Sequence, residues 1–411
     1  MWSNQNISRT YLLLKLFIKP YKRLYMKKIT LNSTFTLGLI PLLTLFFLNL
    51  GCQKNLEKIP DQKIPANSLS LENEKVPQSL KDFTQVNLVG DNDQYNPART
   101  DPHLVNAWGI AFSPGGIVWI SANGTGKSTV YNKDGVIQGI SPVSIPSPTA
   151  PTGGAPTGIV FNGSSDFKLS LPNGNPGNPA RFIFAGDDGV ISGWNGGTAA
   201  IRMVNNSATA GYFGLTLAQD GGSNFLYAAN FNEGKIDVFD KDWGAVTKLF
   251  TDPNLPAAYS PFNIQAIDNL LYVMYAKVGP DGSEIHHPGF GLVDIYNPHG
   301  SFVKRFISNG QLNSPWGIAK APAGFYGSGF GDIQNTFLVG NFGDGRINAY
   351  NGDGTFLGQL RAHGNPIVIE GLWAISFAPT TATSVDPNRF RLFFNAGPDK
   401  ETHGLFGYIK K

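Results

Sequence analysis

The chain is expected to be all-β, a six-bladed β-propeller with four antiparallel strands in each blade. Three observations lead there. A four-residue opening recurs six times, and between Gly109 of the first copy and Ala374 of the last the mean step is 53 residues. Glycine (49) and proline (28) are abundant while charged residues make up only 15%, a balance that favours short strands and turns. Beyond residue 80 no stretch sustains the 3.6-residue apolar period of a helix.

The openings are Ala107-Trp108-Gly109-Ile110, Pro156-Thr157-Gly158-Ile159, Tyr212-Phe213-Gly214-Leu215, Pro261-Phe262-Asn263-Ile264, Pro315-Trp316-Gly317-Ile318 and Leu372-Trp373-Ala374-Ile375. Each suits an innermost strand. The small third residue lets six strands crowd the axis, and the aromatic before it is expected to wedge between blades. Apolar second strands follow at Val118–Ser121, Phe182–Ala185, Phe225–Ala228, Leu271–Met274, Phe337–Val339 and Leu392–Phe394. Third strands end on an aromatic plus Asn or Asp in five copies, as at Tyr350-Asn351, and a Gly-containing turn leads to a polar fourth strand. The sixth copy runs out after Leu405–Ile409, whereas Phe83–Val89 stands unassigned before the first. Pairing those two segments completes the sixth blade, closes the ring and removes an exposed edge.

Upstream lies a different kind of sequence. Residues 1–51 hold seven basic residues and no acid, and Phe35–Leu50 is an apolar run ending Leu48-Asn49-Leu50-Gly51-Cys52. This reads as a secretory signal, with Met26 the natural start of its basic region. Cys52 is the only cysteine, so it forms no internal disulfide. Residues 52–80 are polar and aperiodic, as in a disordered tether, and the propeller is assigned to 81–411. Without the seven leader cations the body has 25 basic against 29 acidic residues. That balance supplies no electrostatic attraction for nucleic acid.

Two resemblances follow. The Gly-Cys ending is similar to a bacterial lipoprotein signal, which implies a lipid on Cys52, membrane attachment through that lipid, and an extracytoplasmic place in the cell envelope. VGNFGDGRINAY resembles an NHL-type propeller repeat. Together NAWGIAFSP, PARFIFAGDDGVISGW, LYAANFNEGKIDVFD and GPDKETHGLFG resemble an uncharacterised family of secreted bacterial propellers, some of which carry a PEP-CTERM tail. That family implies fold and export and transfers no catalytic residue.

Several motifs suggest chemistry. Gly126-Lys127-Ser128 resembles the end of a phosphate loop, but Ser121 stands where the leading glycine belongs and a strand follows, so no nucleotide is expected. Asn351-Gly352-Asp353-Gly354 and Asn132-Lys133-Asp134-Gly135 lack the remaining calcium ligands and read as hairpin turns. Asn123, Asp187, Asn230 and Asn341 follow their second strands at matching places, either ringing one mouth of the channel or closing turns. The loop Ala276–Phe290 is long and carries Asp281, Glu284, His286 and His287, and the equivalent loop of the sixth copy carries Glu401 and His403. Propeller connectivity puts both loops on one face, together with His103 and Glu370. His286, His287, Glu401 and His403 are therefore expected to border a ligand site with Glu370 at its floor, and Asn341 joins them as a candidate.

The function expected is a lipid-tethered binding or scaffold module for a carbohydrate, peptide or protein of the envelope, with no cofactor required. The second reading is a metal-dependent hydrolase. Glu370-Gly371-Leu372-Trp373 is similar to the Glu-Gly-x-Trp with which gluconolactonase-type propellers supply a ligand to a divalent metal such as calcium. Their Asn-Gly ligand position, however, holds Trp108, Phe213 and Trp316 here.

Overall fold

The computed structural model describes residues 76–171, 175–327, 335–379 and 390–411. The chain divides into units Met1–Leu69 and Ser70–Lys411, and every described residue lies in the second. The signal, Cys52 and nearly all of the tether lie outside the described residues.

Among those residues six sheets form the blades of a propeller. Blades one to five are sequential four-stranded meanders that start at Ala107–Phe112, Pro156–Phe161, Tyr212–Asp220, Tyr259–Ile267 and Pro315–Lys320. Blade six runs Leu372–Phe377, Leu392–Ala396, Leu405–Lys410, and its fourth strand is Thr84–Gly90 from the beginning of the domain. The closing pair is antiparallel, from Thr84 opposite Lys410 to Gly90 opposite Leu405. The expected closure therefore forms, shifted by one residue. Arg99–Thr100 adds a short parallel strand outside it.

The openings behave as expected at their third residue. A Cβ on Gly109 would lie 2.6 Å from the Thr157 carbonyl oxygen, and one on Gly317 would lie 2.8 Å from that of Trp373. Adjacent innermost strands touch at these points, and a larger residue must reach past its neighbour. Asn263 does so in blade four, donating through Nδ2 to the Trp316 carbonyl at 2.8 Å.

The aromatics differ from expectation, and the backbone explains why. In every blade the register between first and second strands slips at this residue; Tyr212 pairs with Asn230, and Gly214 with Ala229, leaving Phe213 unmatched. The aromatic is thus the extra residue of a β-bulge, which turns its side chain out of the sheet. Instead of wedging between blades, the rings meet on the axis. Trp108 of blade one stacks on Trp373 of blade six at 3.5 Å, and Trp316 of blade five stands edge-on to both at 6.1 and 5.8 Å. Across the axis Trp316 Nε1 donates to the Phe213 carbonyl at 3.1 Å. Thr157 is the exception, and its hydroxyl donates to the Tyr212 carbonyl at 2.6 Å. The rings close the channel, and beneath them lies a cavity of about 30 Å³, lined in part by Asn263, Gln265 and Ser376.

Candidate binding face

The face on which the first strands begin also carries the loops between second and third strands; it is called the upper face here. Groups from four blades converge there above the aromatic plug. The loop of blade four sets the His286 ring edge-on to Phe342 at 5.1 Å, and Phe342 stacks on Trp373 at 3.9 Å. Glu284 Oε1 lies 3.3 Å from His286 Nε2.

From blade six comes Glu401. Asp399, Lys400 and Glu401 all adopt left-handed backbone, with φ of 51°, 56° and 67°. Such a run is costly for residues with a Cβ and is held by its surroundings. The Glu401 N–H donates to the Gly397 carbonyl at 3.1 Å, and Asn106 Nδ2 donates to Glu401 Oε2 at 2.7 Å. Asn106 is itself held by Trp373, whose Nε1 donates to its Oδ1 at 3.1 Å. Burial raises the Glu401 carboxyl above its ordinary range; the Asn106 bond opposes the shift and the charge of Glu284 adds to it.

Blades one and two complete the group. Asn123 Nδ2 donates to Asp187 Oδ2 at 3.2 Å. Asp187 sits low among these loops, ringed by protein although part of its surface stays open. Burial pushes its carboxyl up to about 7, against the pull of the Asn123 bond and with help from the charges of Asp188 and Glu401.

The expected residues therefore separate. His286 comes to the axis from blade four and Glu401 from blade six, close enough for the His286 charge to oppose the rise of the Glu401 carboxyl. His287 is exposed, with Nδ1 on the Pro288 carbonyl at 2.6 Å and its ring on Phe290 at 4.9 Å. His403 turns to the segment after the closing strand, with Nδ1 2.8 Å from Asp91 Oδ2. Glu370 is exposed at the rim and accepts from the Asp399 N–H at 3.1 Å. It supports the Glu401 loop, while the floor is made of aromatic rings. His103 Nδ1 lies 3.0 Å from Asp101 Oδ1, and the Tyr131 hydroxyl donates to the other oxygen of that buried carboxylate at 2.7 Å.

Asn341 belongs to the interior. It is fully buried, donates to the Gln311 carbonyl and to Asp344, and accepts the Asn313 N–H at 3.1 Å, so no polar atom is left for a ligand. Asn230 is spent in the same way on Gly211, Glu233 and Asp237. The turn reading holds for Asn230, whose Oδ1 also accepts the Glu233 N–H at 3.3 Å, while Asn341 ties its strand to Gln311 and Asn313. We expect Asn341→Ala to lower stability by about 1–3 kcal/mol in urea unfolding, because it strands buried partners, with ligand affinity of the folded protein unchanged.

Asp187 was read only as one of four matching positions, and Asn106 was passed over altogether. A signal for the first existed, since a charged Asp187-Asp188 pair stands where three other blades have Asn. The remaining motifs take the local forms expected. Asn123–Thr125 is a single 3-10 turn followed directly by the strand Lys127–Tyr131, and Asn351 Oδ1 accepts the N–H groups of Asp353 and Thr355 within a hairpin. Among the described residues no three His, Cys, Asp or Glu side chains gather closely enough to hold a metal ion.

No family model matches the chain. Among solved structures it is similar to a streptogramin B lyase, with 12% identity and a TM-score of 0.44 over 80% of this chain and 97% of that one. It is also similar to the soluble aldose sugar dehydrogenase of Escherichia coli, with 14% identity and a TM-score of 0.46 over 80% and 99%. At this distance such likenesses concern the fold alone. Two proteins of Acanthamoeba polyphaga mimivirus are much nearer in sequence. Uncharacterized protein L690 is 32% identical over 342 residues, 80% of this chain and 86% of its own length. Uncharacterized protein R648 is 33% identical over 343 residues, 80% of each. The chain belongs to the family that includes these two mimivirus proteins.

Proposed function

We propose that the chain is a binding or scaffold module, lipid-anchored through Cys52 outside the cytoplasm, that holds a carbohydrate, peptide or protein ligand on the upper face of its propeller. The observation that carries this reading is the convergence of Asn123, Asp187, Glu284, His286 and Glu401 from four blades above a closed aromatic plug. Contact residues brought from several blades by loops on a rigid ring suit recognition. Trp108, Phe213 and Trp316 favour binding over metal-dependent hydrolysis, because an aromatic ring offers no ligand where the gluconolactonase pattern has an amide. The apolar leader and the single Gly51-Cys52 support the anchor.

Titration of a glycan and peptide library on the full chain tests the ligand reading. For whatever binds, Glu401→Gln and Asp187→Asn are expected to weaken affinity about tenfold or more, with melting temperature nearly unchanged. Two removed carboxylates with no effect on any ligand would end the proposal for this face. Tight calcium binding lost in both variants would favour the hydrolase instead.

A further inference from the structure

The opposite, lower face carries a feature that the upper-face reading leaves unused. The connection between the first two strands of blade two contains its own hairpin, Lys168–Ser170 paired with Pro176–Pro179. A tight turn would suffice to join these strands, as two residues do in blade three between Asp220 and Ser223. The insert is firmly built. Phe167 is fully buried and lies edge-on to Trp243 at 5.3 Å, and Trp243 Nε1 donates to the Lys168 carbonyl at 2.8 Å. At its base Asn162 Nδ2 donates to the carbonyls of Ala180 and Asp166 at 2.8 and 3.1 Å.

Between this insert and the first turn of blade one lies a cleft of about 570 Å³. Phe161 and Pro114 give it apolar walls, and Ser164, Asn178 and Asn195 give it neutral polar groups. Its one charged lining residue is Arg181. The Arg181 N–H is fixed to the Trp194 carbonyl at 2.7 Å, and its side chain is exposed, with no acid or hydrogen-bond partner among the described residues. The nearby insert carboxylate, Asp166, is held by Asn224 of blade three at 2.7 Å. In a propeller body with more acids than bases, a cleft lined by one cation and no acid is selective for anions.

We propose that this cleft binds an anionic saccharide, a sugar ring bearing a carboxylate or phosphate. The planar guanidinium fork of Arg181 matches either oxyanion with two parallel hydrogen bonds. Phe161 and Pro114 receive the apolar face of the ring, and the Asn178 amide faces its hydroxyl groups together with Asn195 Oδ1, whose Nδ2 is held by the Pro179 carbonyl.

Calorimetric titration of the full chain with glucuronate, glucose 6-phosphate, glucose and inorganic phosphate tests this. Glucuronate and glucose 6-phosphate are expected to bind and to compete with each other, with glucose and free phosphate each at least about tenfold weaker. Arg181→Ala is expected to lose about tenfold or more for both anionic sugars. Arg181→Lys, which keeps the charge and loses the fork, should fall between. Absence of binding by either anionic sugar, equal binding of glucose, equal binding of phosphate alone, or full binding by Arg181→Ala would each overturn the proposal.

Discussion

Deletion of Lys81–Gly90 is expected to abolish the cooperative unfolding transition and drive the protein into aggregates. The segment supplies the whole fourth strand of blade six, so its loss strips Leu405–Lys410 of a partner along its full length. It also removes Phe83, Leu88 and Val89, which are 2%, 6% and 1% exposed. Phe83 packs on Phe325 at 5.2 Å, and Leu88 and Val89 belong to the core shared with blade one. Three such side chains at about 1.5–3 kcal/mol each are comparable with the roughly 5–15 kcal/mol that holds a typical domain folded. The bared strand would then pair with any edge it meets. Size-exclusion chromatography with thermal circular dichroism checks this, using deletion of Gln53–Leu71 as the comparison expected to leave melting unchanged. A monodisperse product melting within a few degrees of the parent would show that closure contributes little.

Arg305→Met is expected to cost about 3–5 kcal/mol at pH 8 and much less at pH 5. Arg305, in the fourth strand of blade four, bonds through Nε to Asp294 and through Nη2 to Asp252. Asp294 is fully buried and Asp252 is 8% exposed. Methionine keeps much of the apolar stem and leaves two enclosed carboxylates without a counter-charge. In the parent protein burial already pushes the Asp294 carboxyl up to about 6, against the pull of Arg305. A carboxyl raised in the folded state holds its proton where the unfolded chain has released it. Its ionisation therefore lowers stability progressively as pH rises from about 4 through about 6. Without the guanidinium the Asp294 carboxyl rises further, so the deficit grows toward alkaline pH and shrinks as a proton neutralises it. Urea unfolding at the two pH values measures this. A deficit that is small at pH 8, or equal at both, would mean that water reaches the pair and screens it.

The repeat was legible because neighbouring innermost strands touch at the third residue of each opening, and five of the six blades keep that residue small, as Gly109, Gly158, Gly214, Gly317 and Ala374. Closure was legible from a leftover strand at one end and a missing one at the other. The direction of the aromatics was not, because alternation along a strand assigns Trp316 to a sheet face and only a register slip turns it to the axis. Outer strands were read least well. Blade three keeps only Ala245–Val246 as its fourth strand, since Phe250 leaves to pack between Tyr227 and Tyr296. At the upper face, loop length pointed to blades four and six, from which His286 and Glu401 approach one another. It did not separate them from His403, because the pull of Asp91 arises 312 positions away in the chain. Asp187 shows the complementary failure, since a position shared by several blades was read as one role when its charge set it apart.

The stacked indoles of Trp108 and Trp373 have an optical consequence. Two aromatic chromophores held face to face at 3.5 Å share their electronic excitation, and such a pair gives a two-signed near-ultraviolet circular dichroism band that neither ring gives alone. One indole comes from the first blade and the other from the last, so the pair exists only while the two ends of the domain are joined. The protein thus carries a spectroscopic clasp, whose contribution is missing from any chain whose blades have formed but whose circle is still open.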